Sequence, residues 1–467
     1  MKRLLNFLRA NWSAAGGYKE ILVLAFPLIL STGAASVQFF VDRMFLAWYS
    51  TEAVAASMPA GIFNFACLSI FIGTASYTST FIAQYFGAGR YERIGAVMWQ
   101  GNYIALAGGL LHLLLIPLAI PFFKAVGHAP IVAAYETSYF QVLCLGAVPV
   151  IASASLSGFF AGKGNPWPVM WVSIGQTAIH LFLDFLLIFG RWGLPELGIR
   201  GAGIANVISN FGAFFCYLLL VGRKKYNRKF GTLRYWRFEP ALFLRLNRFG
   251  LPSGIQMFID VIGFTFFILL VGRTGTIPLA ATNIAFNINT LAFMPMIGIG
   301  IAVSVLVGQN LGRNNPALAE KSVYSSFHLT ICYMSAIAVL YVAIPGFFIT
   351  PFTARLHPAD FAQVRHIGII LLRFVAFYSV FDTMNIVFLA ALRGAGDTRY
   401  IMFALSILSV FVLVLPSYIA LVMLHGSIYT AWTIVTVYVC ALGFMFLFRF
   451  LQGKWKHMRV IETIPVV

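Results

Sequence analysis

Charge is scarce in this sequence, and negative charge scarcest of all. Only 10% of the 467 residues are charged, with 14 Asp and Glu against 32 Lys and Arg, whereas a water-soluble domain carries about 25% charged residues. So small a polar complement cannot cover a surface that faces water, which excludes a soluble globular protein. The same figures exclude a disordered chain, which needs low hydropathy and high charge. Cysteine is also rare. Cys67, Cys144, Cys216, Cys332 and Cys440 all lie in apolar stretches, odd in number and without a C-x-x-C pair. They read as small packing residues, not as a disulfide framework, a metal site or a redox pair.

What the chain does contain is hydrocarbon: 60% of its residues are hydrophobic and its mean hydropathy is +0.87. Apolar runs of about 20 residues, enough for a helix to cross a ~30 Å bilayer core, recur along its whole length. Twelve spans are expected, at 20–47, 54–85, 94–123, 131–160, 168–190, 201–222, 242–272, 279–310, 317–349, 363–392, 400–424 and 427–450. A transmembrane barrel would show alternating segments of roughly ten residues, which the run at 110–120, polar only at His112, contradicts. The expected fold is therefore an all-α membrane protein. Residues 1–12 combine Lys2, Arg3 and Arg9 with Leu4, Leu5, Phe7 and Leu8. They read as a short interfacial helix, because the apolar run that follows is too long for a signal peptide.

A formal net charge of +18 raises the question of nucleic acid, and the placement of the charge answers it. Threading the twelve spans puts 24 of the Lys and Arg residues on one face and six on the other, with Arg43 and Arg373 inside spans. That is the positive-inside pattern with both termini cytoplasmic, in a cell inner membrane, and it needs no nucleic-acid partner. The longest basic loop, 223–237, reads as a topology anchor against anionic headgroups.

The chain also repeats itself. At an offset of 225, Pro27 falls on Pro252, Gly73 on Gly298, Ser79 on Ser304, and Gln84-x-x-Gly87 on Gln309-x-x-Gly312; further on, Gly162-x-Gly164-Asn165 meets Gly394-x-Gly396-Asp397 at an offset of 232. Two homologous halves follow. With six spans in each, both halves start from the same face, so a pseudo-two-fold axis along the membrane normal should relate them. The expected domains are a cytoplasmic segment 1–19, an N-lobe 20–222, a basic linker 223–241, a C-lobe 242–450 and a cytoplasmic tail 451–467. Paired bundles of this kind can rock around a central cleft, as secondary transporters do.

An ionisable side chain costs roughly 2.5–3.5 kcal/mol at the centre of a spanning helix, so each one asks for a reason. Asp42, Asp184, Asp260 and Asp382 lie inside spans. At 1.5 Å per residue, Asp42 and Asp184 sit about 9 Å from the outer ends of the first and fifth spans, and Asn206 about 8 Å below the outer start of the sixth. His180 precedes Asp184 by one turn and shares its face. Asp260 and Asp382 come out about 18 Å and 15 Å from the ends of the seventh and tenth spans, near the midplane. Tyr378 and Asn385 share the face of Asp382. A structural role remains open for Asp42 as a hydrogen-bond partner and for His180 as a satisfied core histidine. Asp260 and Asp382, without an evident basic partner, point to a cation or proton that comes and goes. An organic cation entering the same cleft would displace that ion, and such an exchange is antiport. A potential of about 100 mV contributes roughly 2.3 kcal/mol per charge moved, enough to help drive export.

These landmarks together resemble the multidrug and toxic compound extrusion (MATE) transporters. The residues that carry the resemblance are Pro27 with Phe40-Val41-Asp42, Gln84-x-x-Gly87-Ala88-Gly89, Pro252 with Phe258-Ile259-Asp260, Val307-Gly308-Gln309-Asn310-Leu311-Gly312, and Leu392-Arg393-Gly394-Ala395-Gly396-Asp397-Thr398. The resemblance implies efflux of amphipathic, often cationic compounds coupled to Na⁺ or H⁺, with no cofactor, by a monomer that is not an enzyme. It implies a C-lobe cation site at Asp260, Tyr378 and Asp382, as in NorM-like members, with Asp260 and Asp382 as the Na⁺ ligands and Asn385 beside the substrate. It implies an N-lobe site at Asp42, His180, Asp184 and Asn206, as in DinF-like members. The chain departs from the pattern in having Asp260 where Glu is common, His180 for Asn and Asn206 for Thr. The imidazole favours a proton in the N-lobe. A lipid-linked oligosaccharide flippase of the same superfamily would need a strongly cationic cleft, and a membrane acyltransferase would set His and Asp at one membrane face; the embedded acids fit neither well.

Overall fold

The computed structural model describes residues 11–353 and 358–462. The N-terminal basic segment up to residue 10, Arg355 and the last five residues of the tail lie outside the described residues. The described chain is helical, without a strand. Its twelve long helices are labelled α1 (Tyr18–Tyr49), α2 (Thr51–Gly87), α3 (Glu92–Leu113), α4 (Pro130–Leu145 and Ala147–Gly162), α5 (Trp167–Phe189), α6 (Ile199–Val221), α7 (Pro240–Gly272), α8 (Thr276–Gly312), α9 (Pro316–Ala343), α10 (Pro358–Ala395), α11 (Thr398–Met423) and α12 (Ile428–Leu451). Ten of them are long and apolar enough to cross a membrane, and α4 makes an eleventh through a 48° bend. α3, 22 residues long, takes the remaining place in the order.

Local chemistry sets the helix ends. Ser50 caps α2 by accepting from the Ala53 amide at 3.0 Å, and Asn315 caps α9 in the same way through Leu318 at 3.0 Å, with Pro316 in the first turn, where its missing N–H is not needed. The expected third span, 94–123, is interrupted. Pro117 cannot accept the helix at this point because its ring would meet the carbonyl of Leu113, so α3 ends there and a short helix, Ala119–Val126, follows after a turn. Pro416 has a related effect in α11, which widens to π-helical turns at Ser409–Val414 and Ile419–Met423.

Contacts divide the chain into two units. An N-unit contains Leu30–Phe258, Gly312–Asn314 and the tail from Arg459; a C-unit contains the described residues up to Ile29, Ile259–Leu311 and Asn315–Met458. The divisions thus fall inside α1 and α7, close after Pro27 and Pro252. The basic stretch 223–241 belongs to the N-unit. It forms a short helix, Lys224–Phe230, and packs on α3: Trp99 donates to the Thr232 carbonyl at 2.6 Å and Gln100 to that of Arg237 at 3.1 Å.

The repeat is visible in equivalent close contacts within each unit. A Cβ on Gly162 would stand 2.6 Å from the Ser79 carbonyl oxygen, and one on Gly394 would collide in the same way with that of Ser304. On Gly73 it would meet the Gly254 backbone at 2.6 Å, and on Gly298 the Ile29 nitrogen at 2.8 Å. Ser79 and Ser304, and likewise Ile29 and Gly254, stand at the offset of 225 found in the sequence. Only glycine lets these helices approach so closely. All five cysteines are free; Cys144 is buried, while Cys216 and Cys332 are exposed on apolar helices.

Candidate functional site

In the N-unit, three of the four expected residues converge. His180 Nε2 lies 2.8 Å from Asp42 Oδ1 and 3.1 Å from Asp184 Oδ2, so one imidazole joins α1 to α5. All three residues are buried, and their ligand atoms fall within 4.8 Å of one another, which makes them the one such His/Cys/Asp/Glu group among the described residues. α6 is drawn in by Gly201, where a Cβ would meet the Leu187 carbonyl at 2.5 Å. That approach sets Ser209 Oγ 3.3 Å from His180 Nδ1.

Hydrogen-bond accounting defines the state of the cluster. Ser209 spends its hydroxyl hydrogen on the Asn206 carbonyl at 2.9 Å, so toward His180 it can only accept. Nδ1 therefore donates to Ser209, and a hydrogen on Nε2 as well, given to the Asp42 carboxylate, would make the ring an imidazolium. Two carboxylates against such an imidazolium leave one negative charge, and both oxygens of Asp184 are buried without a hydrogen-bond partner. A proton or a small cation beside Asp184 would remove both deficits.

Asn206 does not join this cluster through its side chain. Its amide oxygen accepts from Asn210 at 2.9 Å, and Gln176 donates to Asn210 at 2.9 Å. Asn206 reaches His180 only through its backbone and Ser209. Ser209 lies three residues further along α6, and the depth of Asn206 could not distinguish between them. Tyr139 of α4, also unforeseen, is buried within electrostatic range of Asp42 and Asp184. Glu136, three residues earlier, is buried and paired with His128 at 2.8 Å. Arg43 and Arg373 are exposed, and Arg43 lies within electrostatic range of Tyr139.

In the C-unit, Asp382 Oδ1 accepts from Asn385 Nδ2 at 2.9 Å, and the Asn385 amide oxygen is buried without a hydrogen-bond partner. Tyr378, one turn before Asp382, is buried within electrostatic range of it. Its ring stacks 6.5 Å from Trp432, which stacks in turn on Phe286 at 5.0 Å. Asp260 of α7 is half-buried. Tyr438 of α12 lies within electrostatic range of both Asp260 and Asp382. Trp432 and Tyr438 stand one and a half turns apart on α12, and nothing distinguished them beforehand among 9 Trp and 19 Tyr.

With this geometry established, likeness to known proteins can be weighed. The chain is 29% identical over 392 residues to a protein named "Probable multidrug resistance protein NorM" from Bradyrhizobium diazoefficiens, covering 82% of each chain. It is 26% identical over 454 residues to the protein of the same name from Thermotoga maritima, covering 95% of this chain and 94% of that one. Among solved structures it resembles a MOP superfamily transporter from Pyrococcus furiosus, with a TM-score of 0.85 at 18% identity over 94% of this chain and 97% of the other. It also resembles the eukaryotic MATE transporter AtDTX14, with a TM-score of 0.81 at 18% identity over 94% and 96%; at this identity the likeness concerns the fold alone. The family model MatE matches residues 27–186 and 252–419, one match in each half of the duplication, and the chain therefore belongs to the MatE family of membrane transporters.

Proposed function

We propose that this protein exports amphipathic organic cations and drugs in exchange for an inward-moving ion, and that in the N-unit the ion is a proton held by Asp42, His180 and Asp184. The observation that carries this reading is the single imidazole placed between two buried carboxylates from different helices, which even as an imidazolium leaves the cluster one positive charge short of balance. An arriving cation would satisfy Asp184, and a departing proton would leave it bare, so occupancy and charge are coupled at one point. The names of the relatives support the drug class.

In the C-unit, Asp260 and Asp382 supply the carboxylates for a cation, H⁺ or Na⁺, and Tyr378 and Asn385 flank the substrate. The stacked rings of Tyr378, Trp432 and Phe286 support a flat, positively charged substrate, because aromatic faces attract cations. The protein acts as a monomer in the cell inner membrane with both termini in the cytoplasm. Dye efflux from proteoliposomes, driven by a pH gradient alone and then by a sodium gradient alone, tests the coupling ion. Efflux that follows the pH gradient and stops in His180→Asn supports the proton; efflux that follows sodium and ignores pH refutes it.

A further inference from the structure

Away from both acid clusters, positive charge gathers where α7 leaves the basic loop. Leu244, Arg245 and Arg248 recur at intervals of one, three and four residues, so they form one stripe along the first turns of α7. With Arg459 and Ile461 of the tail they line an open cavity of about 400 Å³. Three guanidinium groups border it, and Glu462 lies beside them, 2.6 Å from Arg245 and 3.4 Å from Arg90. Arg248 is exposed and makes no ion pair among the described residues. The tail is held in place, since Val460 is buried and its amide donates to Gln84 at 2.9 Å. Arg459 is therefore presented in a fixed position, and burial draws its guanidinium below its usual pKa because it has shed part of its water.

We infer that this cavity binds the phosphate of an anionic phospholipid, held between Arg248 and Arg459, with the lipid's apolar part along Leu244. Guanidinium groups offer paired donors that match phosphate oxygens, and basic pockets at the cytoplasmic ends of spanning helices take anionic headgroups. The apolar lining favours a lipid over free phosphate. Leu244 is 67% exposed between the arginines, and Trp236 and Phe238 of the adjoining loop are 57% and 52% exposed, the amphipathic aromatics of a membrane interface.

Native mass spectrometry of the full-length protein, released from detergent and titrated with dioleoyl phosphatidylglycerol, dioleoyl phosphatidylcholine or inorganic phosphate, tests the site. One phosphatidylglycerol should be retained at concentrations where phosphatidylcholine is not, and phosphate alone should not displace it. Arg248→Gln and Arg459→Gln should each weaken retention about fivefold, and together abolish the preference. Should Arg459→Gln lower the melting temperature, Arg248→Glu at its exposed position carries the test alone. Undiminished preference in these variants, equal retention of the zwitterionic lipid, or displacement by inorganic phosphate would overturn the assignment.

Discussion

Lys163, one residue past the end of α4, offers the sharpest test of the packing at the basic face. Its Nζ is buried without a hydrogen-bond partner, 3.5 Å from the ring centroid of Tyr226, 4.3 Å from that of Phe159 and 4.4 Å from that of Phe160. Burial, reinforced by Lys225 and Lys229, pushes its pKa down from 10.5 to about 7. Between those two values the unfolded chain binds a proton that the folded chain has released. Stability must therefore rise with pH across this window, and fall as pH drops through 7. At about 1.4 kcal/mol per pKa unit the whole shift is worth at most about 5 kcal/mol, and the part between pH 7 and 8.5 roughly 1–2 kcal/mol. The three aromatic faces oppose the effect by favouring the ammonium form, which makes these figures ceilings. Thermal unfolding in detergent at one scan rate, at pH 6, 7 and 8.5, should show the wild type gaining a few degrees relative to Lys163→Met, whose thioether fits the same rings without a charge. Lys163→Arg, which cannot shed its proton, should fall furthest behind at pH 8.5. Parallel pH profiles for wild type and Lys163→Met would refute the reasoning.

Four further outcomes are expected. Asp382→Asn keeps the volume and the Asn385 contact but loses the titrating charge, so it should abolish drug resistance in a sensitive host while membrane yield stays at the wild-type level; wild-type resistance would remove Asp382 from the mechanism. His180→Ala leaves two buried carboxylates without a cation and should cost about 3–5 kcal/mol, with a coupling of about 1–3 kcal/mol to Asp42→Asn in a double-mutant cycle of thermal stability. Gly162→Val and Gly394→Val should each destabilise by about 1–3 kcal/mol through the matching serine carbonyls, whereas Gly175→Ala, with nothing near its missing Cβ, should be neutral or stabilising. Tyr85, Arg245 and Arg90 hold Glu462 below the usual carboxylate range, so its contribution is present above that range and lost as pH falls through it. Glu462→Gln should accordingly lower the melting temperature at pH 7 and cease to differ from wild type in strong acid.

The spans, the repeat and the embedded acids are legible because each is a departure from a uniform apolar background. A carboxylate in hydrocarbon stands out, and periodic glycines at a constant offset stand out in the same way. The partners of those acids did not. Ser209, Tyr139 and Tyr438 are ordinary residues in helices crowded with similar ones, and only the rotation and close approach of α5 and α6 select Ser209 over Asn206. Depth along a helix could be counted from the sequence, but the facing direction of Asp260 relative to Asp382 depends on how α7 packs. The break in α3 was signalled by Pro117, yet the surrounding run of leucines and isoleucines outweighed a single proline in any window average. Glu136 lies close to the expected membrane boundary, where a carboxylate in the sequence needs no special explanation; its burial against His128 gives it one.

The helices that carry Pro27 and Pro252 each contribute residues to both units. Each half of the duplicated sequence lends its opening turns to the unit built mainly from the other half, through α1 in one direction and α7 in the other. Such a reciprocal loan is what two copies of a six-helix ancestor would make if they had swapped their leading segments before fusion joined them. Severing the chain near residue 230 would then not release two finished bodies. Each fragment would begin with turns that belong to the other unit, and recovery of function from co-expressed fragments would depend on exchanging them afresh.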